Sequence, residues 1–269
     1  MRKVLLFIPL LLSSCGTLSS NLPNPQYSTD LSPVDVIDGL SGEAILDAFN
    51  EFQEEISSNP KMSSIEQEFL MRSILIKKKS THPEHRISPL SYSDILPISR
   101  DQLNSAEEAL CNEYFVRCVG FLSSAQQAMI ATARFVSAGF YTSDKVDNEA
   151  DAFRHSLWNA YMARHIGPAN AKLFADAHEV GHMGTSIGRD MDFFNNDIGR
   201  KVGSTWSSTA RKTIEGMILD KMVLGELKIV SRSTPYESKP SGTSLVPSNK
   251  YNQTWNDDWL MTLGILFYW

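Results

Sequence analysis

Residues 149–168, EADAFRHSLWNAYMARHIGP, decide the fold class. Glu149 and Asp151 suit the positive end of a helix dipole, and Asp151, His155, Trp158 or Asn159, and Met162 recur three or four apart on one face. Gly167-Pro168 then supplies a stop, so the spacing predicts a helix from Glu149 to His165. Downstream, 169–182, 190–202 and 207–229 read as further helices. Upstream, Ser105-Ala106-Glu107-Glu108 opens a helix expected to reach Phe140, with a weak point near Gly120. Ala44, Ile45, Ala48, Phe49, Phe52 and Ile56 mark one more helix, and Ile65, Phe69, Leu70, Ile74 and Leu75 another that can pair with it as a hairpin. The expected fold is all-α, a multi-helix globular domain.

Composition fits that body. Of the 269 residues 42% are hydrophobic and 21% charged, enough for a core in one domain. A formal charge of −6 argues against phosphate-backbone binding, so no nucleic-acid partner is expected. The N-terminus sets the compartment. Arg2-Lys3 followed by the apolar run Val4 to Leu12 has the form of a secretory signal, too short to span as a mature helix. Leu12-Ser13-Ser14-Cys15-Gly16 resembles a bacterial lipobox, in which Cys15 is acylated and becomes the new N-terminus. Two or three acyl chains anchor firmly, at about 0.8 kcal/mol per buried methylene. Gly16 after that Cys resembles the pattern that lets a lipoprotein travel to the outer membrane.

The expected organisation is a signal peptide over 1–14, the lipidated Cys15 with a Ser/Pro/Asn-rich tether over 15–41, a helical hairpin and Pro-rich loop over 42–104, a helical core over 105–230, and an extended loop with an aromatic C-terminal segment over 231–269. His82 and His85 read as solvated loop residues. Cys111 and Cys118 leave two readings. On an unbroken helix their Cα atoms would stand roughly 10 Å apart, beyond the ~7 Å limit for a bridge. Either a disulfide spans a helix break or both are small buried apolar residues.

Four of the six histidines fall between 155 and 182, together with Asp176 and Glu179; Asp151 precedes this stretch and Asp192 follows it. Asp151 or Asp192 can orient His155, so that one ring nitrogen accepts a proton or binds a metal. His178-Glu179-Val180-Gly181-His182 matches H-E-x-x-H, the helical pattern in which two His share zinc and the Glu acts as general base. The metzincin extension fails at Thr185 and Gly188, leaving Asp192 or Glu215 as candidate third ligand. In Met191-Asp192-Phe193-Phe194-Asn195-Asn196-Asp197-Ile198-Gly199-Arg200, Asp192, Asn196 and Gly199 or Arg200 share a face, while Phe193, Phe194 and Ile198 are expected on the buried side.

Together, Asp151-Ala152-Phe153-Arg154-His155 with Trp158-Asn159, Asp176-Ala177-His178-Glu179, and Met191-Asp192 with Asn195-Asn196 and Gly199-Arg200 resemble an uncharacterised helical domain of bacterial secreted, wall-associated and polymorphic-toxin-like proteins. The resemblance spans about 50 residues. It implies a polar site of Arg154, His155, His178, Glu179, Asp192 and Asn196, suited to a hydrolase, and His182 is not one of its positions. The roles expected are His155 as base or ligand, His178 and Glu179 as ligand and acid or base, and Asn196 and Arg154 as substrate or oxyanion contacts. A divalent metal such as zinc would rest on His178, Asp192 and His155, with His182 added in a zincin. The expected function is an envelope lipoprotein that hydrolyses phospholipid, peptidoglycan or peptide at the outer membrane. The alternatives are a zinc metallopeptidase using residues 178–182 and a non-enzymatic envelope scaffold or partner-binding lipoprotein.

Overall fold

A computed structural model describes residues 31–81, 103–136, 146–181, 184–233 and 240–251. Cys15, His82, His85, His182 and the C-terminal aromatic segment lie outside the described residues. The described residues from Ser32 onward pack as one unit. Its elements are α1 (Pro33–Ile37), α2 (Gly42–Ser58), α3 (Ser64–Thr81), α4 (Ser105–Glu113), α5 (Phe115–Phe135), α6 (Glu149–Ile166), α7 (Pro168–Gly181), α8 (Ser186–Thr205), α9 (Arg211–Val223), β1 (Lys228–Val230) and β2 (Leu245–Pro247). The domain is all-α in class. Among the described residues no helix is long and apolar enough to cross a membrane.

The fold is built around α6. Helix α6 is buried from Glu149 through Ala163 except at Arg154, with α5, α7, α8 and α9 packed around it. Asn148 caps it by accepting from the backbone N–H groups of Ala150 and Asp151. Aromatic pairs lock its neighbours: Phe135 stacks on Phe153 with centroids 4.7 Å apart, and Phe121 stacks on Phe174 at 4.9 Å. The contact between α6 and α8 has a specific cause. A Cβ on Gly199 would collide with the carbonyl of Ser156, and one on Gly203 with that of Ala160. Two glycines four residues apart therefore let the helix backbones nearly touch. That approach carries Asn196 and Asp192, one and two turns back along α8, onto the level of Asn159 and His155.

Four expectations are corrected. Residues 32–41 are not part of a tether, because Ser32 and Asp35 form a capping box and Val34, Val36, Ile37 and Leu40 enter the core. The helix break comes at Tyr114 rather than Gly120. Gly120 sits inside α5, where a side chain would strike Ile166 and crowd Phe49, so it serves close packing instead of interruption. The break resolves the cysteine alternatives, since Cys111 and Cys118 are disulfide-bonded with Cα atoms 4.8 Å apart. The helix expected over 207–229 ends at Val223, and the loop expected from 231 contains a strand: Lys228, Ile229 and Val230 pair antiparallel with Pro247, Val246 and Leu245. Finally, Met191, Asn195, Asn196, Gly199 and Val202 form the buried face of α8, which leaves Phe193 and Phe194 partly exposed.

Candidate functional site

Three helices converge on His155. Asp151, Arg154, His155 and Asn159 come from α6, His178 and Glu179 from the last turn of α7, and Asp192, Asn196 and Arg200 from α8. The ring of His155 is 3% exposed and lies among carboxylates. Its Nδ1 stands 3.4 Å from Glu179 Oε1, while its Nε2 stands 3.5 Å from Asp151 Oδ1 and 3.6 Å from Asp192 Oδ1. An Arg154 amino group lies 3.3 Å from the same Nε2 and pairs with Asp151 Oδ1. The second Asp151 oxygen accepts the backbone N–H of Asp147 at 2.6 Å, at a turn where Asp147 takes φ 61°. Among the described residues, His155 Nδ1, Asp192 Oδ1 and Arg154 Nε are buried atoms with no hydrogen-bond partner. Such orphans are costly and rare in a settled interior.

Behind Glu179 the polar chain is complete. Asn196 donates to Glu179 at 2.8 Å and accepts from Asn159 at 2.6 Å, and Asn159 in turn accepts from Arg200 at 3.0 Å. Beside it, His178 lies with its ring centroid 6.0 Å from that of His155 and edge-on to Trp158 at 4.8 Å. His178 Nδ1 meets Glu107 Oε1 at 2.8 Å, and the other Glu107 oxygen accepts the Asn104 backbone N–H to close the capping box of α4.

Burial opposes charge on His155, but the carboxylates of Asp192, Glu179 and Asp151 outweigh it and lift the ring from 6.5 to about 9. Burial is also the main cause that pushes Asp192 upward, helped by Asp151 and Glu179 and opposed by His155. On Glu179 burial alone would raise the carboxyl. The contacts with His155, with His178 and Asn196 behind them, hold it below the usual range instead. One cluster thus holds carboxyl groups pushed in opposite directions, the arrangement by which acid and base roles become separated.

The expected residues do come together, with altered parts for some. Asn196 is fully buried and both ends of its amide are engaged, so it positions Glu179 and cannot touch substrate. Arg154, with its side chain 34% exposed, reaches the rim where a substrate contact was expected. Among the described residues, the metal-ligand atoms that converge belong to Asp151, His155 and Asp192, all within 4.8 Å of one another. Asp151 stands where His178 was expected, because His178 turns to Glu107. Glu215 is elsewhere, accepting from Tyr161 at 2.6 Å and pairing with Arg134. For the 178–182 pair only the first half is described, and there Glu179 is buried against His155 and Asn196. Glu107 was missed. Its place, three residues after the cap Asn104, marks it as a capping acid and carries no sign of a histidine 71 residues away.

The fold and site define a class: an all-helical domain around a buried histidine–carboxylate centre beside a partly exposed arginine. Residues 109–226, spanning most of α4 through α9, match a family model described as a domain of unknown function (DUF6973). No curated protein and no solved structure matches the chain.

Proposed function

We propose that this domain is a hydrolase of an envelope substrate, held at the membrane by a lipid on Cys15. One observation carries the reading: His155 Nε2 faces Asp151, Asp192 and Arg154 while its Nδ1 is backed by Glu179. A ring held from one nitrogen by a carboxylate presents the other for work on water. Asn196 and Asn159 fix Glu179, and Glu179 fixes the ring. Arg154, partly exposed, suits an anionic group near the bond to be cut, such as the phosphate of a phospholipid or a carboxylate of peptidoglycan or of a peptide C-terminus. The alternative, a scaffold stiffened by a polar network, is favoured by the sealed Asn159–Asn196–Glu179 chain.

Release of product from phospholipid vesicles, peptidoglycan sacculi and a peptide pool distinguishes the two. The full chain should cleave one of them, and His155→Ala should lose at least 100-fold with its helical circular dichroism intact. No cleavage of any favours the scaffold, and cleavage undiminished by His155→Ala moves the chemistry away from this cluster. For the anchor, Cys15→Ser should leave the membrane fraction; retention after a salt wash contradicts lipidation.

A further inference from the structure

We infer that Asp151, His155 and Asp192 form a site for one divalent transition-metal ion. This deepens the hydrolase reading and rests on it for its catalytic meaning, while the ligand geometry stands independently.

Spacing is the first support. An ion with ligand bonds of about 2.1 Å in tetrahedral geometry holds its ligand atoms roughly 3.4 Å apart. His155 Nε2 lies 3.5 Å from Asp151 Oδ1 and 3.6 Å from Asp192 Oδ1. Modest rotation of the two carboxylates brings the third edge in, since all three atoms already fall within 4.8 Å. The second support is the orphaned chemistry. Asp192 Oδ1 is buried and without a hydrogen-bond partner where it faces Nε2. A buried polar atom left without a partner is what a bound cation would satisfy.

The charge balances when His155 is neutral, as ligation requires: Asp151, Glu179 and Asp192 then contribute three negative charges, which one divalent ion and the nearby Arg154 offset. An imidazole with two carboxylates favours zinc, manganese or cobalt over the all-oxygen preference of calcium and magnesium. Glu179 fits the outer role, next to the His nitrogen that does not ligate and itself held by Asn196. Three protein ligands leave a position for water.

Arg154 is the competitor. Its amino group occupies part of the same space, pairing with Asp151 and approaching Nε2. With its side chain 34% exposed, it has solvent to withdraw into. A metal must displace it, so its removal should help binding.

The test strips the full chain in detergent with a chelator, then titrates it with Co²⁺ by visible absorption and with Zn²⁺ by calorimetry. One ion per chain is expected, with Asp192→Asn weakening binding at least 100-fold and Arg154→Ala tightening it about tenfold. His182→Ala should leave the affinity unchanged. No stoichiometric binding by the folded wild type overturns the inference. So does unchanged affinity in folded Asp192→Asn, binding lost in His182→Ala, or a preference for Ca²⁺ or Mg²⁺. If Asp192→Asn fails to fold, Arg154→Ala decides: tighter binding supports the site, and unchanged or weaker binding overturns it. Hydrolysis that persists in the metal-free chain takes the catalytic role from the ion and spares the hydrolase. Binding without any hydrolysis spares the site and sinks the hydrolase.

Discussion

The side-chain amide of Asn196 donates to Glu179 Oε1 at 2.8 Å, joining α8 to the last turn of α7 inside the core. Both residues are at most 1% exposed, and no solvent is at hand to replace the bond. The same amide accepts from Asn159, so one residue satisfies two others on two different helices.

Asn196→Leu should therefore destabilise the domain by about 1–3 kcal/mol, the cost of leaving buried polar groups unpaired. Asn196→Asp should cost more, because it sets a second carboxylate against Glu179. Urea unfolding of the two variants checks the order. Equal stabilities, or a change below about 0.5 kcal/mol in either, would show that the amide is not holding Glu179.

Close approach of α6 and α8 gives a second expectation. Gly199→Ala places a methyl against the Ser156 carbonyl, a backbone atom that cannot rotate away. Overpacking of this kind costs about 1–3 kcal/mol, which lowers the melting temperature by roughly 2–12 °C for a body of this size. Gly184→Ala is the control, as nothing lies within 4 Å of its Cβ position. Matching melting curves for the two variants would remove the argument that glycine sets the helix spacing.

These two cases show what was legible in the sequence. Helices α2, α3, α6, α7 and α8 announce themselves by length, α2 and α3 through a three-and-four apolar pattern and α6 through the Gly167-Pro168 stop. The five residues of α1 and the three of each strand are too short to show any period. Gly120 was misread for a physical reason: glycine serves both chain breaks and tight packing, and only the neighbouring helix says which. Tyr114, which does break the chain, is an ordinary helical residue by type. His155, His178, Glu179, Asp192 and Asn196 were visible as dense polar motifs in apolar surroundings. Their partnerships were less so, since the choice of Glu107 by His178 depends on how α4 docks against α7.

The disulfide bears on that docking. Cys111 and Cys118, seven residues apart, pin the end of α4 to the first turn of α5. Constraint of so small a loop is worth about 2–3 kcal/mol in chain entropy. Replacing both cysteines with Ser should cost that amount and speed hydrogen exchange in α4 and the end of α7, where Asn104 donates to Ala177 and Glu107 holds His178. Unchanged exchange at α7 would mean that α4 docks without help from the bridge.

His165 supplies the pH dependence. Ser124 donates its hydroxyl to Gly120, so its oxygen accepts from His165 Nδ1, and the ring lies against Phe49 at 5.0 Å. Burial, then the charges of Arg164 and Arg211, drive its pKa down from 6.5 to about 3. The folded ring is thus neutral at pH values where the unfolded chain binds a proton, and acid favours unfolding. Stability from this residue is complete above pH 6.5 and declines as pH falls towards 3. The full slope would be about 1.4 kcal/mol per pH unit; partial exposure of the ring reduces it to a fraction of that. His165→Gln can keep a donor for Ser124 and does not titrate, so its stability should fall less than that of the wild type between pH 7 and pH 5. Urea unfolding of both proteins across that range isolates the term, because every other titrating group is common to the pair. A constant difference between the two curves would show that His165 takes up its proton as readily folded as unfolded, and would assign the acid sensitivity to other groups.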